Sequence, residues 1–177
     1  LRFRESADSA AFMIIEEKKK KVVYDAVSGN RLFVSEFDQL EPIAPSLFVV
    51  TRAGKKGLVR SDGKVALPVE YDAILSTGDG FSLLKDKKFG WYDPRNGLLM
   101  KPVYDRNVMP YRPGLWLAFK DKGYAFVRPD GKPVGLFEWE EVSYWNDSVA
   151  WVRKGTAWKL LELASQKTKL DNVRQYT

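Results

Sequence analysis

The chain has 177 residues, 45% hydrophobic and 14% aromatic, which excludes a disordered chain and suffices for a buried core. Its 29 Lys and Arg against 23 Asp and Glu give a formal charge of +6, a modest attraction for anionic partners. It has no cysteine and no histidine, which excludes disulfides, thiolate chemistry, the usual general base and the commonest metal ligand, so no cofactor or metal site is expected.

No apolar run approaches the roughly 20 residues of a membrane-spanning helix, and no charged-then-apolar leader stands at the front. The chain opens at Leu1, which reads as a processed or truncated product whose removed part could have carried a targeting signal.

Taken in chain order, the first predicted strand is FMIIEE from Phe12, followed by the basic run Lys18 to Lys21 and the turn SGN at Ser28 to Asn30. After the turn-forming APS come LFVVTR from Leu47, a charged turn, KGLVRS from Lys56 and the turn DGK at Asp62 to Lys64. A third strand then runs through KVALPVEYDAI from Lys64, with Pro68 inside it. The same order returns as FSLLKD from Phe81, FGWYDP from Phe89, Asn96-Gly97 and LLMKPVYDRN from Leu98. It returns again as LWLAFK from Leu115, YAFVRP from Tyr124, DGK at Asp130 to Lys132 and KPVGLFEWEEV from Lys132, and a last time as VAWVRK from Val149 and AWKLLE from Ala157.

Gly29, Gly63, Gly97 and Gly131 are spaced by 34 residues, and a fifth step falls on Ser165. The strand starts at Leu47, Phe81, Leu115 and Val149 keep the same spacing. A period of this length identifies a repeat architecture. The expected fold is all-β: a repeat array of about five units of about 34 residues, each of three short antiparallel strands, over residues 12–46, 47–80, 81–114, 115–148 and 149–177 of a single domain, 1–177. A toroidal or partial β-propeller-like arrangement is the alternative; propeller blades usually need four strands and more residues per unit, which favours the array.

The segments KFGWYDPRNGLLMKPVYD, Lys88 to Asp105, and KKGLVRSDGKVALPVEYD, Lys55 to Asp72, resemble the WG (KWG) β-rich repeat of bacterial proteins, and the likeness extends over roughly residues 12 to 177. Only one repeat carries a Gly-Trp pair, and the end repeats depart furthest, as capping repeats do. The resemblance implies a bacterial, exported protein, periplasmic or at the cell surface, with no common chemistry. By this reading Gly90 permits a close backbone approach, Trp91 packs in the core between units, and Asn96-Gly97 turns a hairpin.

Charge is concentrated in the turn between the first and second strand of each unit. Counting Lys18 to Lys21, Arg52, Lys55, Lys56, Lys85, Lys87, Lys88, Lys120, Lys122, Arg153 and Lys154 against Glu16, Glu17, Asp86 and Asp121 gives a local charge of +10. Repeated turns project from one rim, so a basic ridge is expected, with Lys19, Lys20, Lys55, Lys56, Lys87, Lys88, Lys120, Lys122, Arg153 and Lys154 as candidate contacts for an anionic polymer or an acidic protein. Lysines that solubilise hairpins and discourage edge pairing are the competing explanation. Nucleic acid is one such polymer, although no motif singles it out.

Six tryptophans are present, and Tyr144-Trp145 sits in a polar turn, a second candidate binding surface. Aromatic-acid steps recur at Phe37-Asp38, Tyr71-Asp72, Tyr104-Asp105 and Trp139-Glu140. Either the aromatic anchors each unit while the acid accepts backbone hydrogen bonds, or acids such as Asp72, Asp93 and Asp105 pair across a cleft as in a glycan hydrolase. A non-catalytic binding or scaffold module, not an enzyme, is the expectation; the carboxylate hydrolase is the alternative.

Overall fold

The structure, a computed structural model, describes residues 2–4, 12–18, 20–44, 46–78 and 80–174. Among the described residues it is all-β, with twenty strands in five four-stranded antiparallel sheets, each sheet running in chain order. Two compact units divide the chain, Leu1–Asp86 and Lys87–Thr177. Strands are short and rich in β-branched and aromatic residues, and strands consecutive in the chain pair antiparallel within each sheet, so every sheet is a meander.

In the first unit, β1 (Arg2–Arg4), β2 (Phe12–Glu17), β3 (Lys20–Asp25) and β4 (Arg31–Ser35) form one sheet. The next comprises β5 (Gln39–Ala44), β6 (Leu47–Arg52), β7 (Lys55–Arg60) and β8 (Val65–Tyr71). The unit ends with the hairpin of β9 (Ala73–Ser76) and β10 (Phe81–Lys85), half of the third sheet. The second unit opens with the other half, β11 (Lys88–Asp93) and β12 (Leu98–Tyr104). It continues with the sheet of β13 (Met109–Arg112), β14 (Leu115–Lys120), β15 (Gly123–Val127) and β16 (Pro133–Trp139), then that of β17 (Glu141–Tyr144), β18 (Val149–Lys154), β19 (Ala157–Glu162) and β20 (Thr168–Val173).

Four strands per sheet correct the expected three. The stretch read as one long third strand breaks at the aromatic-acid step: β8 ends at Tyr71, Asp72 turns the corner, and β9 starts at Ala73 in the next sheet. The same one-residue corner stands at Glu140, whereas Asp105 opens a longer corner, residues 105–108, before β13; neither has a glycine to announce it. Each of the first four repeats therefore supplies three strands to one sheet and the first strand to its successor, and the fifth supplies three strands to the last sheet. Strand number no longer separates an array from a propeller-like fold, because a four-stranded antiparallel sheet is also the propeller blade.

The core lies between consecutive sheets. Side chains alternate across each strand, so one sheet can present an apolar face on both sides. Leu117 and Phe126 pack with Ala150, Val152 and Leu161, while the adjacent positions Ala118 and Val127 pack with Trp91, Met100 and Tyr104. In the first unit, Phe12 and Val23 meet Phe48, Val50 and Val59 in the same way, with the Phe12 and Phe48 rings 4.7 Å apart. Trp91 is 3% exposed and its ring lies 4.8 Å from that of Trp116, which gives the Gly-Trp step its packing role.

The four glycines spaced by 34 all have positive φ, between 66° and 82°, as their turns require. The acids that precede them accept backbone N–H bonds: Asp25 from Val27 and Ser28, Asp62 from Lys64, Asp93 from Arg95, Asp130 from Lys132. In the fifth repeat the left-handed residue is Gln166, one position beyond the expected Ser165, because its turn closes from Gln166 N–H to Glu162 C=O, the same wider loop as Gly29 to Asp25 in the first repeat.

Candidate functional site

The turns between the first and second strands of a repeat are two-residue hairpins: Arg52 pairs with Lys55 across Ala53-Gly54, and Lys120 with Gly123 across Asp121-Lys122. Both central residues take positive φ, 49° and 77° in the first, 52° and 71° in the second, and Asp86 and Lys87 take 51° and 61°. This is the backbone twist that suits two-residue hairpins, and it favours Asn and Gly.

The corner acids reach these turns. Asp72 Oδ2 accepts the Asp86 backbone N–H at 2.8 Å, while its Oδ1 is paired with Lys55 at 2.5 Å. Asp105 repeats the arrangement, with Asp121 N–H at 3.0 Å on one oxygen and Lys88 on the other. Asp38 Oδ2 accepts Ala53 N–H at 2.8 Å, and the carbonyls of Phe37 and Asp38 take the Lys21 ammonium. Glu140 and Glu141 both bind the Arg153 guanidinium, at 3.0 and 2.8 Å. The lysine partner and then the turn N–H hold the carboxyls of Asp72 and Asp105 below the usual range, and Asp72 in turn raises Lys55.

These clasps set acids among the basic residues of the turns. Besides Lys55, Lys88 and Arg153, Lys20 is paired with Glu36, Lys85 with Glu70 and Lys154 with Glu138, and Lys120 lies 4.0 Å from Asp121. Eight acids from the corner segments thus enter the turns, and the local charge falls from +10 to +2. Arg52 lies over the Phe37 ring at 4.7 Å. Among the described residues of the turns, Lys18, Lys21, Arg52 and Lys56 in the first unit and Lys87 and Lys122 in the second have no ion pair, Lys21 being held by carbonyls and Arg52 by a ring; Lys19 lies outside the described residues.

The acids of the alternative reading have structural partners on both oxygens. Burial pushes Asp93 up, but hydrogen bonds from Arg95 and Asn96 outweigh it and hold the carboxyl low. Asp93 is 5% exposed and caps the β11–β12 turn. Tyr71 and Tyr104 are buried anchors, so the aromatic-acid step combines a core residue with a clasp.

Tyr144 and Trp145 are 57% and 53% exposed. The Tyr144 ring lies 5.3 Å from that of Tyr111 and its hydroxyl donates to Asp147 Oδ1 at 3.0 Å, while Trp145 meets Trp151 edge to face at 6.3 Å. Tyr111 and Asp147 escaped sequence reasoning, since Tyr111 stands 33 residues upstream in a strand that was not recognised. Glu36, Glu70, Glu138 and Glu141 escaped it too; their alternation with apolar neighbours was legible, but not the turns they reach.

No family model matches the chain and no curated protein matches it. Solved structures do. Kluyveromyces lactis Hsv2 with complete loop 6CD is similar at 11% identity and a TM-score of 0.39, over 91% of this chain and 60% of that one. A protein of unknown function from Bacteroides caccae is similar at 11% identity and a TM-score of 0.33, over 86% and 68% of the two chains. The nidogen/laminin complex gives 10% identity and a TM-score of 0.32, over 93% and 76%. The chain thus spans about three fifths of the Hsv2 structure.

Proposed function

We propose that the chain is a non-catalytic binding module of WG-type repeats that engages an acidic protein or anionic polymer through the unclasped lysines of its hairpin turns. The observation that carries this is Lys87 and Lys122, both exposed, both in the left-handed region and both without an ion pair among the described residues. A side chain there costs about 1 kcal/mol relative to glycine. Solubility alone does not require a lysine at that position, since Lys85, Lys88 and Lys120 in the same turns carry charge without a positive φ. Both carboxylate oxygens of Asp72, Asp93 and Asp105 are engaged by N–H donors, which favours binding over hydrolysis.

The test is retention of the full chain on immobilised heparin, nucleic acid, peptidoglycan and neutral polysaccharide at about 50 and 300 mM salt, which spans a large change in screening. Retention on the anionic matrices at low salt only is expected, and Lys87→Glu with Lys122→Glu should abolish it while leaving the melting temperature unchanged or raised. Retention of that variant equal to the parent's would refute the assignment.

A further inference from the structure

Tyr144 and Trp145 are the only aromatic side chains left exposed among the described residues. They sit at the start of the 145–148 loop between β17 and β18, and the loop is pinned: Asn146 Oδ1 accepts the N–H groups of Ser148 and Val149 at 2.8 and 3.1 Å, and Asn146 N–H donates to Val149 C=O at 3.3 Å. The rings are propped from behind, Tyr144 by Tyr111 and Trp145 by Trp151. Two flat faces are therefore fixed before any ligand arrives, which lowers the ordering cost of binding.

Polar groups beside the rings limit the ligand. Asp147 Oδ1 holds the Tyr144 hydroxyl, and its Oδ2 takes no hydrogen bond among the described residues, leaving a charged acceptor at the ring edge. A nucleic-acid strand would bring phosphates against Asp147. A sugar chain meets no such obstacle: its C–H faces suit the negative faces of the rings, and its hydroxyls are donors for Asp147.

We propose that Tyr144 and Trp145, with Tyr111 and Asp147 beside them, form a second binding site, for a neutral carbohydrate chain. It is independent of the lysine turns: β18 runs six residues from this loop to the basic turn at its other end, about 17 Å.

Binding of cellohexaose, chitohexaose and maltohexaose to the full chain, followed by tryptophan fluorescence and calorimetry, tests the proposal. Saturable binding of at least one, equal at about 50 and 300 mM salt, is expected. Trp145→Ala and Tyr144→Ala should each weaken it about tenfold or more. Tyr144→Leu, which keeps apolar bulk without the flat face, should weaken it similarly at an unchanged melting temperature. Lys87→Glu with Lys122→Glu should leave it intact. No saturable binding of any of the three sugars, undiminished binding in the aromatic variants, or preference for polylysine or oligothymidylate over the sugars would each overturn the site.

Discussion

A Cβ on Gly90 would sit 2.4 Å from the Met100 carbonyl oxygen and 2.9 Å from the Pro102 nitrogen, both backbone atoms that cannot swing aside. Gly57 and Gly123 meet the carbonyls of Leu67 and Phe137 at 2.8 and 2.5 Å. In each case the strand pairing shifts register at or beside the glycine, and in the two pairs holding Gly57 and Gly90 a proline of the partner strand lies within the irregular stretch. The glycine before the aromatic is thus required by close approach, not by φ. Gly97 differs, with φ at +66° and open space around it. Gly90→Ala should therefore lower stability by about 3 kcal/mol or more, and Gly97→Ala by only about 1 kcal/mol, read from the denaturant midpoint of tryptophan emission. The sequence made Gly90 legible as a contact point because its column recurs; it left the contacting atoms unspecified, since those belong to a bulge no residue pattern marks.

Hairpins and corners show what sequence can and cannot carry at the level of the element. Each turn with Asp-Gly or Asn-Gly was readable, because positive φ selects its residues. The fourth strands, such as AILS at Ala73–Ser76 and MPYR at Met109–Arg112, were not: they are four residues long and follow the third strand with no Gly or Pro at the corner. The Asp121-Lys122 turn has the backbone of an Asn-Gly hairpin but not its residues. Replacing the pair by Asn-Gly should stabilise the protein by about 1 kcal/mol in denaturant titration and weaken low-salt heparin retention in the same variant. A gain in stability with undiminished retention would mean that Lys122 contributes nothing to binding.

Among the described residues of the whole molecule, eight carboxyls are held below their usual range: those of Asp25, Glu36, Asp62, Asp72, Asp93, Asp105, Asp130 and Glu162. A depressed folded-state value contributes stability above the unfolded value, near 4, and loses it as pH falls through the folded value. Burial raises Tyr71, Tyr104 and Tyr111, whose contribution is present below about 10 and lost above it. The melting temperature should be flat between about pH 5 and 9 and fall on both sides, the acid limb steeper because more groups titrate. A profile still flat at about pH 3 would show that the clasps contribute nothing. The same clasps explain why the basic turns looked stronger in sequence than in the fold: Lys55 and Lys88 are each neutralised by an acid 17 residues on, beyond any local charge count.

Because each repeat but the last gives three strands to one sheet and one to the next, its two ends lie in different sheets, and neighbouring sheets are joined by covalent chain as well as by packing. An insertion or deletion of one full period, cut at any phase, therefore restores a complete set of strands and a complete set of clasps. Such a chain can lengthen or shorten by whole copies without redesign, whereas a change of a few residues inside a copy breaks the match between corner acid and turn.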